Sequence, residues 1–254
     1  RVDNQRYFIH LAFDGTNYCG WQRQNNASSI QQELEEKMSI LFKKSIVITG
    51  CGRTDTGVHA SSFYAHFDFY PMSKQQLIAL SYHLNHILPD DIAIFEILPV
   101  KPEAHARYDA LWRTYRYYIS LRKNPFTRDY RWFRSHCPDI EKLNQLAKIL
   151  LTIEDFTSFA KLHSDTENNF CTVTQAFWES RKDDLVFTIT ANRFLRNMVR
   201  AIVGTLWQLA KEENAIEHLR EIIAKKDRSA AGPSVIPRAL FLEEIIYPED
   251  IFLT

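Results

Sequence analysis

Apolar side chains along the first hundred residues recur with a period of two in some stretches and close to four in others. From Tyr7 to Asp14 the period is two. Tyr7, Ile9, Leu11 and Phe13 point one way and Phe8, His10, Ala12 and Asp14 the other, which predicts a strand. Ser29-x-x-Gln32 has the form of a capping box, opening a helix with Ile30, Leu34, Met38 and Leu41 on one stripe. Ile46-Val47-Ile48 reads as a strand that ends at a glycine-flanked loop. Alternation returns from Ser62 to Phe69, with Phe63, Ala65, Phe67 and Phe69 on one face. Ser73 precedes a second helix carrying Leu77, Leu80 and Leu84; Pro89 breaks the chain, and Ile92 to Leu98 forms a further strand. The order β-α-β-β-α-β is the split ferredoxin-like pattern.

Lys101-Pro102 is a plausible boundary, dividing the chain into domains 1–100 and 101–254. The second half repeats the architecture loosely, without a detectable sequence repeat. Tyr115, Tyr117 and Ile119 line one face of a strand, and Ile140, Leu143, Leu146 and Leu150 mark a helix. Val173 to Glu179 and Leu185 to Ala191 read as paired strands turning at Lys182-Asp183-Asp184. A long helix starts near Leu195, another covers Ala215 to Ala224, and Leu240 to Tyr247 is the last strand. The expected fold class is α+β: two ferredoxin-like domains with mostly antiparallel sheets and a catalytic cleft between them.

Composition narrows the classes. A chain of 254 residues, 45% hydrophobic and 24% charged, is globular rather than disordered. It holds no apolar run near the roughly 20 residues of a membrane helix. The opening Arg1-Val2-Asp3-Asn4-Gln5-Arg6 lacks the apolar core of a signal peptide, so a cytoplasmic location is expected. Cys19, Cys51, Cys137 and Cys171 form no C-x-x-C pair, which leaves neither a zinc ribbon nor a redox dithiol indicated. Net charge is zero, yet Lys101 to His136 holds nine basic and three acidic residues, a local +6. Aromatic residues interleave that stretch, a mixture suited to stacking on unpaired bases; a solvated basic face is the commoner meaning of such a run.

One loop stands out for chemistry: Gly52-Arg53-Thr54-Asp55-Thr56-Gly57-Val58-His59-Ala60. Gly52 and Gly57 flank Asp55 and permit backbone conformations other residues resist. Taken locally, an aspartate capping its own turn is the commoner reading. A metal site drawn from Asp55, His59 and His66 lacks a companion ligand set.

The stretch Gly52 to Ala60 closely resembles the G-R-T-D-x-G-V-H-A signature of the tRNA pseudouridine synthase A family, and five further segments fit in order. They are Tyr18 to Gln24, Asn85 to Ile92, His105-Ala106-Arg107 with Tyr115-Arg116-Tyr117, Asp155 to Phe159, and Phe194 to Gly204. Ala104, Thr114 and the acidic stretch Ala160 to Asn169 depart from the family's usual residues. The resemblance implies an isomerase that converts uridine to pseudouridine at positions 38–40 of the tRNA anticodon stem-loop, working as a homodimer. Because the reaction has no redox change, no nicotinamide or flavin is needed, and no metal is implied. Asp55 resembles the family's essential aspartate, acting as nucleophile or as the base that yields a glycal. Arg200 matches the arginine that pairs with it, and Arg53 the arginine that helps the flipped nucleotide leave the stem. Tyr115 matches the tyrosine that packs against the target base, and Arg107 and Arg113 are expected at the RNA. His59 is read as ordering the loop, and Cys51 as inert core. Two other classes stand beside this reading: a non-catalytic RNA-binding protein on the same scaffold, and a metal-dependent hydrolase using Asp55 and His59, which a chelator would expose.

Overall fold

The computed structural model describes residues 3–253; Arg1 and Val2, part of the polar opening segment, and Thr254 lie outside the described residues. The architecture is α+β, with strand pairing antiparallel in every named ladder but one. Two compact units divide the chain: one runs through Leu111 and takes up the chain again from Leu242, and the other spans Trp112–Phe241. No helix among the described residues is long and apolar enough to cross a membrane.

The first unit is built from β1 (Gln5–Phe13), α1 (Ile30–Phe42), β2 (Thr49–Gly50), β3 (His59–Phe69), α2 (Lys74–Ile87) and β4 (Ile92–Val100). β1 lies between β4 and β3, and the short β2 pairs with β3. The predicted apolar face of β1 is closed: Tyr7, Ile9 and Leu11 are buried, with Phe42 of α1 reaching over Phe67 and Phe69. The opposite face is not left to water. Phe8 is also fully buried, under the rings of Tyr247 and Phe252 at 5.1 and 5.8 Å. Burying such a ring contributes roughly 1.5–3 kcal/mol, which ties the C-terminal segment to this sheet.

Ile46-Val47-Ile48, expected as a strand, is irregular; the ladder begins only at Thr49. Side chains of α1 satisfy its backbone instead. Ile48 N–H donates to Glu35 Oε2 at 2.8 Å, Gln31 Nε2 donates to Ile48 O at 2.7 Å, and Ile46 N–H donates to Ser39 Oγ at 3.1 Å. The capping expectation also shifts. Ser29 caps α1 by accepting from Gln32 N–H, but the Gln32 amide turns to Glu36; the reciprocal box forms at Ser73 and Gln76 of α2. Leu41 sits at the exposed end of the α1 stripe, where Ile30, Leu34 and Met38 carry the burial.

The second unit contains β5 (Trp112–Ser120), β6 (Trp132–Phe133), α3 (Ile140–Ile149), β7 (Val173–Arg181), β8 (Asp184–Ala191), α4 (Met198–Leu209) and α5 (Ala215–Lys225). β9 (Leu240–Ile246) follows them in the chain. β8 pairs antiparallel with β5 and β7, while β6 adds two parallel pairs to β5. The β7–β8 hairpin turns on Lys182 and Asp183 alone. Lys182 has φ 55, the positive φ that the favoured two-residue hairpin turns place at their first central residue, and Asp184 already belongs to the strand. α4 is apolar almost all round and correspondingly buried. It starts at Met198, later than expected, because Asn197 sits at φ 67 with its amide donating to Ser234 Oγ.

Candidate active site

Asp55 stands half-buried on the connection between β2 and β3, and Arg53 beside it is exposed. The loop closes in a tight turn: Val58 N–H donates to Asp55 O at 3.1 Å, with Gly57 at φ 81 in the position where a type II turn demands positive φ. Gly52, by contrast, has open space where a Cβ would stand and no positive φ. The expected conformational role therefore falls to Gly57, and Gly52 leaves one side of the loop uncrowded.

A segment thirty residues upstream clamps the loop, and sequence reasoning gave it no role. Trp21 N–H donates to Thr54 Oγ1 at 3.0 Å, and Gly57 N–H donates to Tyr18 O at 3.3 Å. Gly20, at φ 80, lets the two backbones touch: a Cβ there would meet Thr54 O at 2.1 Å. The Trp21 indole is seated on Phe63 of β3, ring centroids 4.5 Å apart. Tyr18 is fixed in turn by its hydroxyl, which donates to Asp91 Oδ1 at 2.6 Å. Burial, with the adjacent Asp91 carboxylate, pushes the Tyr18 phenol well above its ordinary range, so it stays protonated as that donor. Just beyond Asp91, the start of β4 is fixed by Asn85, whose amide both donates to and accepts from the backbone of Ile94. The segments Tyr18 to Gln24 and Asn85 to Ile92 are thus supports for the Asp55 loop.

His59 is 1% exposed, and its Nδ1 accepts from Gly15 N–H at 2.9 Å, close to Asp14 Oδ1 at 3.1 Å. That ring nitrogen ties the start of β3 to Gly15. Cys51 is buried, its N–H donating to Tyr64 O. No cluster of three or more His, Cys, Asp or Glu side chains among the described residues is placed to hold a metal. Arg107 is exposed beside Tyr108, with its guanidinium 5.6 Å from that ring. Its neighbour Ala106 is pinned on both sides, by His66 Nδ1 and by the Tyr247 hydroxyl.

The remaining predicted residues belong to the second unit. Tyr115 and Arg113 are alternate residues of β5, opposite Ile189 and Ala191 of β8. Tyr115 is 8% exposed, and Phe194 meets its ring edge-on at 4.9 Å. Arg113 donates to Asn192 O at 2.8 Å. Arg200 is half-buried on α4, where its Nε donates to Val235 O at 2.8 Å while its own carbonyl accepts from Val235 N–H. A helix residue between Val199 and Ala201 is thereby held in place, not left waving in solvent. Tyr117, two residues after Tyr115, donates to Ile236 O at 2.9 Å. Burial raises its phenol well above the usual range, against the pull of Arg200, Arg134 and Arg238. Arg200 and the Tyr115–Tyr117 stretch of β5 therefore share one region of this unit, and Arg53 and Asp55 share one loop of the other.

The family model described as tRNA pseudouridine synthase matches residues 10–109 and 146–248. The chain is 47% identical over 251 residues to tRNA pseudouridine synthase A of Bacteroides thetaiotaomicron, covering 98% of this chain and 93% of that protein. It is 48% identical over 248 residues to the protein of the same name from Azobacteroides pseudotrichonymphae, at 97% and 98% coverage. The corresponding protein of Clostridium acetobutylicum is 35% identical over 244 residues, at 94% and 98% coverage.

Proposed function

The chain belongs to the tRNA pseudouridine synthase A family, and from that premise we propose that it isomerises uridines 38–40 of the tRNA anticodon stem-loop with Asp55 as the reacting carboxylate. The C1′–N1 bond of the uridine breaks, the uracil turns, and C1′ rejoins it through C5; the C5 proton leaves and N1 takes one up, so the atoms balance. Nothing is oxidised or reduced. Asp55 acts at the ribose. Arg200 supplies a positive charge to the reaction, and Arg53 assists the flipped nucleotide. Tyr115 packs against the base, with Arg107 and Arg113 on the RNA. The observation that carries the reading is the clamp on the Asp55 loop: a carboxylate on a loop held at Thr54 and Gly57 by Gly20, Trp21 and Tyr18 is built for fixed aim, which a surface turn does not need. The anchoring of Arg200 by Val235 supports its part in the same way. By the family resemblance, we infer two ferredoxin-like halves, action as a homodimer, and a cytoplasmic location.

The test is incubation with unmodified tRNA followed by mapping of pseudouridine, with Asp55→Asn as the control. Wild type is expected to give pseudouridine at one or more of positions 38–40. Asp55→Asn is expected to give none while binding tRNA nearly as well. Pseudouridine at other positions alone sinks the positional assignment, and residual Asp55→Asn activity within tenfold of wild type sinks the role of Asp55.

A further inference from the structure

We propose that the cavity between β6 and the C-terminal half of α4 holds a second, unpaired nucleotide of the tRNA while the target uridine reacts. The cavity measures about 540 Å³ and lies within the second unit. That size falls in the range of small-molecule sites, and a single nucleotide fits within it. Its walls are two indoles, Trp132 and Trp207, meeting edge to face with centroids 5.4 Å apart. Its polar lining includes Arg134, His136, Lys211 and Ser234, and no carboxylate is among its described lining residues. Aromatic walls with a rim of basic side chains, hydroxyls and the Gln208 amide match one chemistry best: a planar base carrying a phosphate.

Three details favour a built site over a chance crevice. Gly204 brings the strip Pro233–Ile236 hard against α4, because a Cβ there would meet Pro233 O at 1.9 Å; this strip forms one wall. The Arg134 guanidinium is already stacked on Trp132 at 4.0 Å, which extends the stacking surface with a charged plane. Ser234 Oγ accepts from both Asn197 and Arg228, which directs the hydroxyl proton outward as a donor for a base edge or phosphate. Val235 belongs both to this wall and to the anchor of Arg200, so an occupied cavity would brace the arginine assigned to the reaction. The proposal rests on the tRNA reading above. It goes beyond it by naming a nucleotide subsite apart from Asp55, Tyr115 and Arg200.

The test uses the full-length protein and unmodified tRNA carrying 4-thiouridine. After irradiation, crosslinked peptides are mapped, and tRNA affinity is measured by filter retention for wild type, the exposed-rim double variant Arg134→Ala/Lys211→Ala, and Trp132→Phe. Crosslinks are expected in the segment from Trp132 to His136. The double variant is expected to bind tRNA about tenfold more weakly, and Trp132→Phe, which keeps a ring for stacking, less than threefold more weakly. No crosslink in that segment, or less than a twofold change in the double variant, overturns the subsite. Saturation of the cavity by uridine monophosphate as tight as by tRNA, read from tryptophan quenching, would assign it to a free nucleotide and overturn it also. Wild type that forms pseudouridine normally while these results fail removes only the subsite; wild type that forms none removes the functional reading itself.

Discussion

Gly20→Ala separates positioning from stability in this fold. A Cβ at Gly20 would meet Thr54 O at 2.1 Å in a residue already at φ 80. Left-handed backbone costs a non-glycine residue about 1–2 kcal/mol before any clash is counted. Relief of the clash to ordinary contact needs movement of about 1 Å or more. The Thr54 carbonyl is the nearest atom to give way, and it is bonded directly to Asp55. Misplacement of a reacting group by about 1 Å costs on the order of a hundredfold in rate. The backbone cost of about 1–2 kcal/mol alone lowers Tm by roughly 2–8 °C in a chain of this size, and any clash left unrelieved adds to it. Gly20→Ala should therefore remain folded, melt a few degrees early, and form pseudouridine at least fiftyfold more slowly. Gly52→Ala supplies the contrast, since nothing lies within 4 Å of its added methyl; its Tm should hold or rise by up to about 4 °C, as a compatible Gly→Ala change stabilises by about 0.4–1 kcal/mol. Both are measured by thermal unfolding and single-turnover assays. A Gly20→Ala protein with wild-type turnover would refute the clamp as the means by which Asp55 is aimed.

Further outcomes follow from the same geometry. Arg200→Met should cut turnover at least a hundredfold in single-turnover assays; activity within threefold of wild type would remove Arg200 from the reaction. Tyr115→Phe keeps the ring for packing on the base, so tRNA binding should hold, while turnover falls at least a hundredfold if the hydroxyl moves the C5 proton; full activity would leave the ring alone as the working part. His66 offers a test of acid sensitivity. Burial, with the positive charges of Arg6 and His105, pushes its imidazole down to about 4. Because the folded value lies below the unfolded one, the unfolded chain binds the extra proton in between. Stability is then intact near neutral pH and lost as pH falls from about 6.5 to about 4, by up to roughly 3 kcal/mol. Urea midpoints across that range should show the slope, and His66→Gln should flatten it; a wild-type profile already flat contradicts the assignment.

The periodic parts of the chain were legible because burial repeats with the backbone. The alternation of β1 and β3, the stripes of α1 and α2, and the β7–β8 pair all follow apolar spacing. What escaped was set by single side chains acting on distant backbone. Ile46 to Ile48 carries strand-forming residues, yet Glu35 and Gln31 of α1 take its hydrogen bonds, and nothing in the spacing marks a glutamate as a backbone partner. The start of α4 depends on Asn197 meeting Ser234, which lies 37 positions later. The second face of β1 looked polar at His10 and Asp14, but Tyr247 and Phe252, far along the chain, cover its Phe8. Asp55 itself was visible only as part of a motif; taken locally, an ordinary turn aspartate is the commoner reading.

The motif segments divide by the physical work each does. Tyr18 to Gln24 and Asn85 to Ile92 converge on the Asp55 loop through a relay: Asn85 fixes the strand beside Asp91, Asp91 holds Tyr18, and Tyr18 receives the Gly57 N–H. In the second unit, Asp155 to Phe159 does for the helices what that relay does for the loop. Phe156 and Phe159 are fully buried, and Ser158 donates to Ile222 O of α5 while accepting from Asp227 N–H. Phe194 to Gly204 then carries the Phe194 ring to Tyr115 and the Arg200 side chain to Val235. Few of these residues have reactive side chains. Their common property is that they fix backbone, either in a segment that bears a residue assigned to chemistry or in one that supports it. A change in such a fixture should therefore lower turnover through position, with the reacting groups themselves unaltered. Tyr18 and Asp91 are the plainest instance, since a single 2.6 Å hydrogen bond between them stands one step from the turn that presents Asp55.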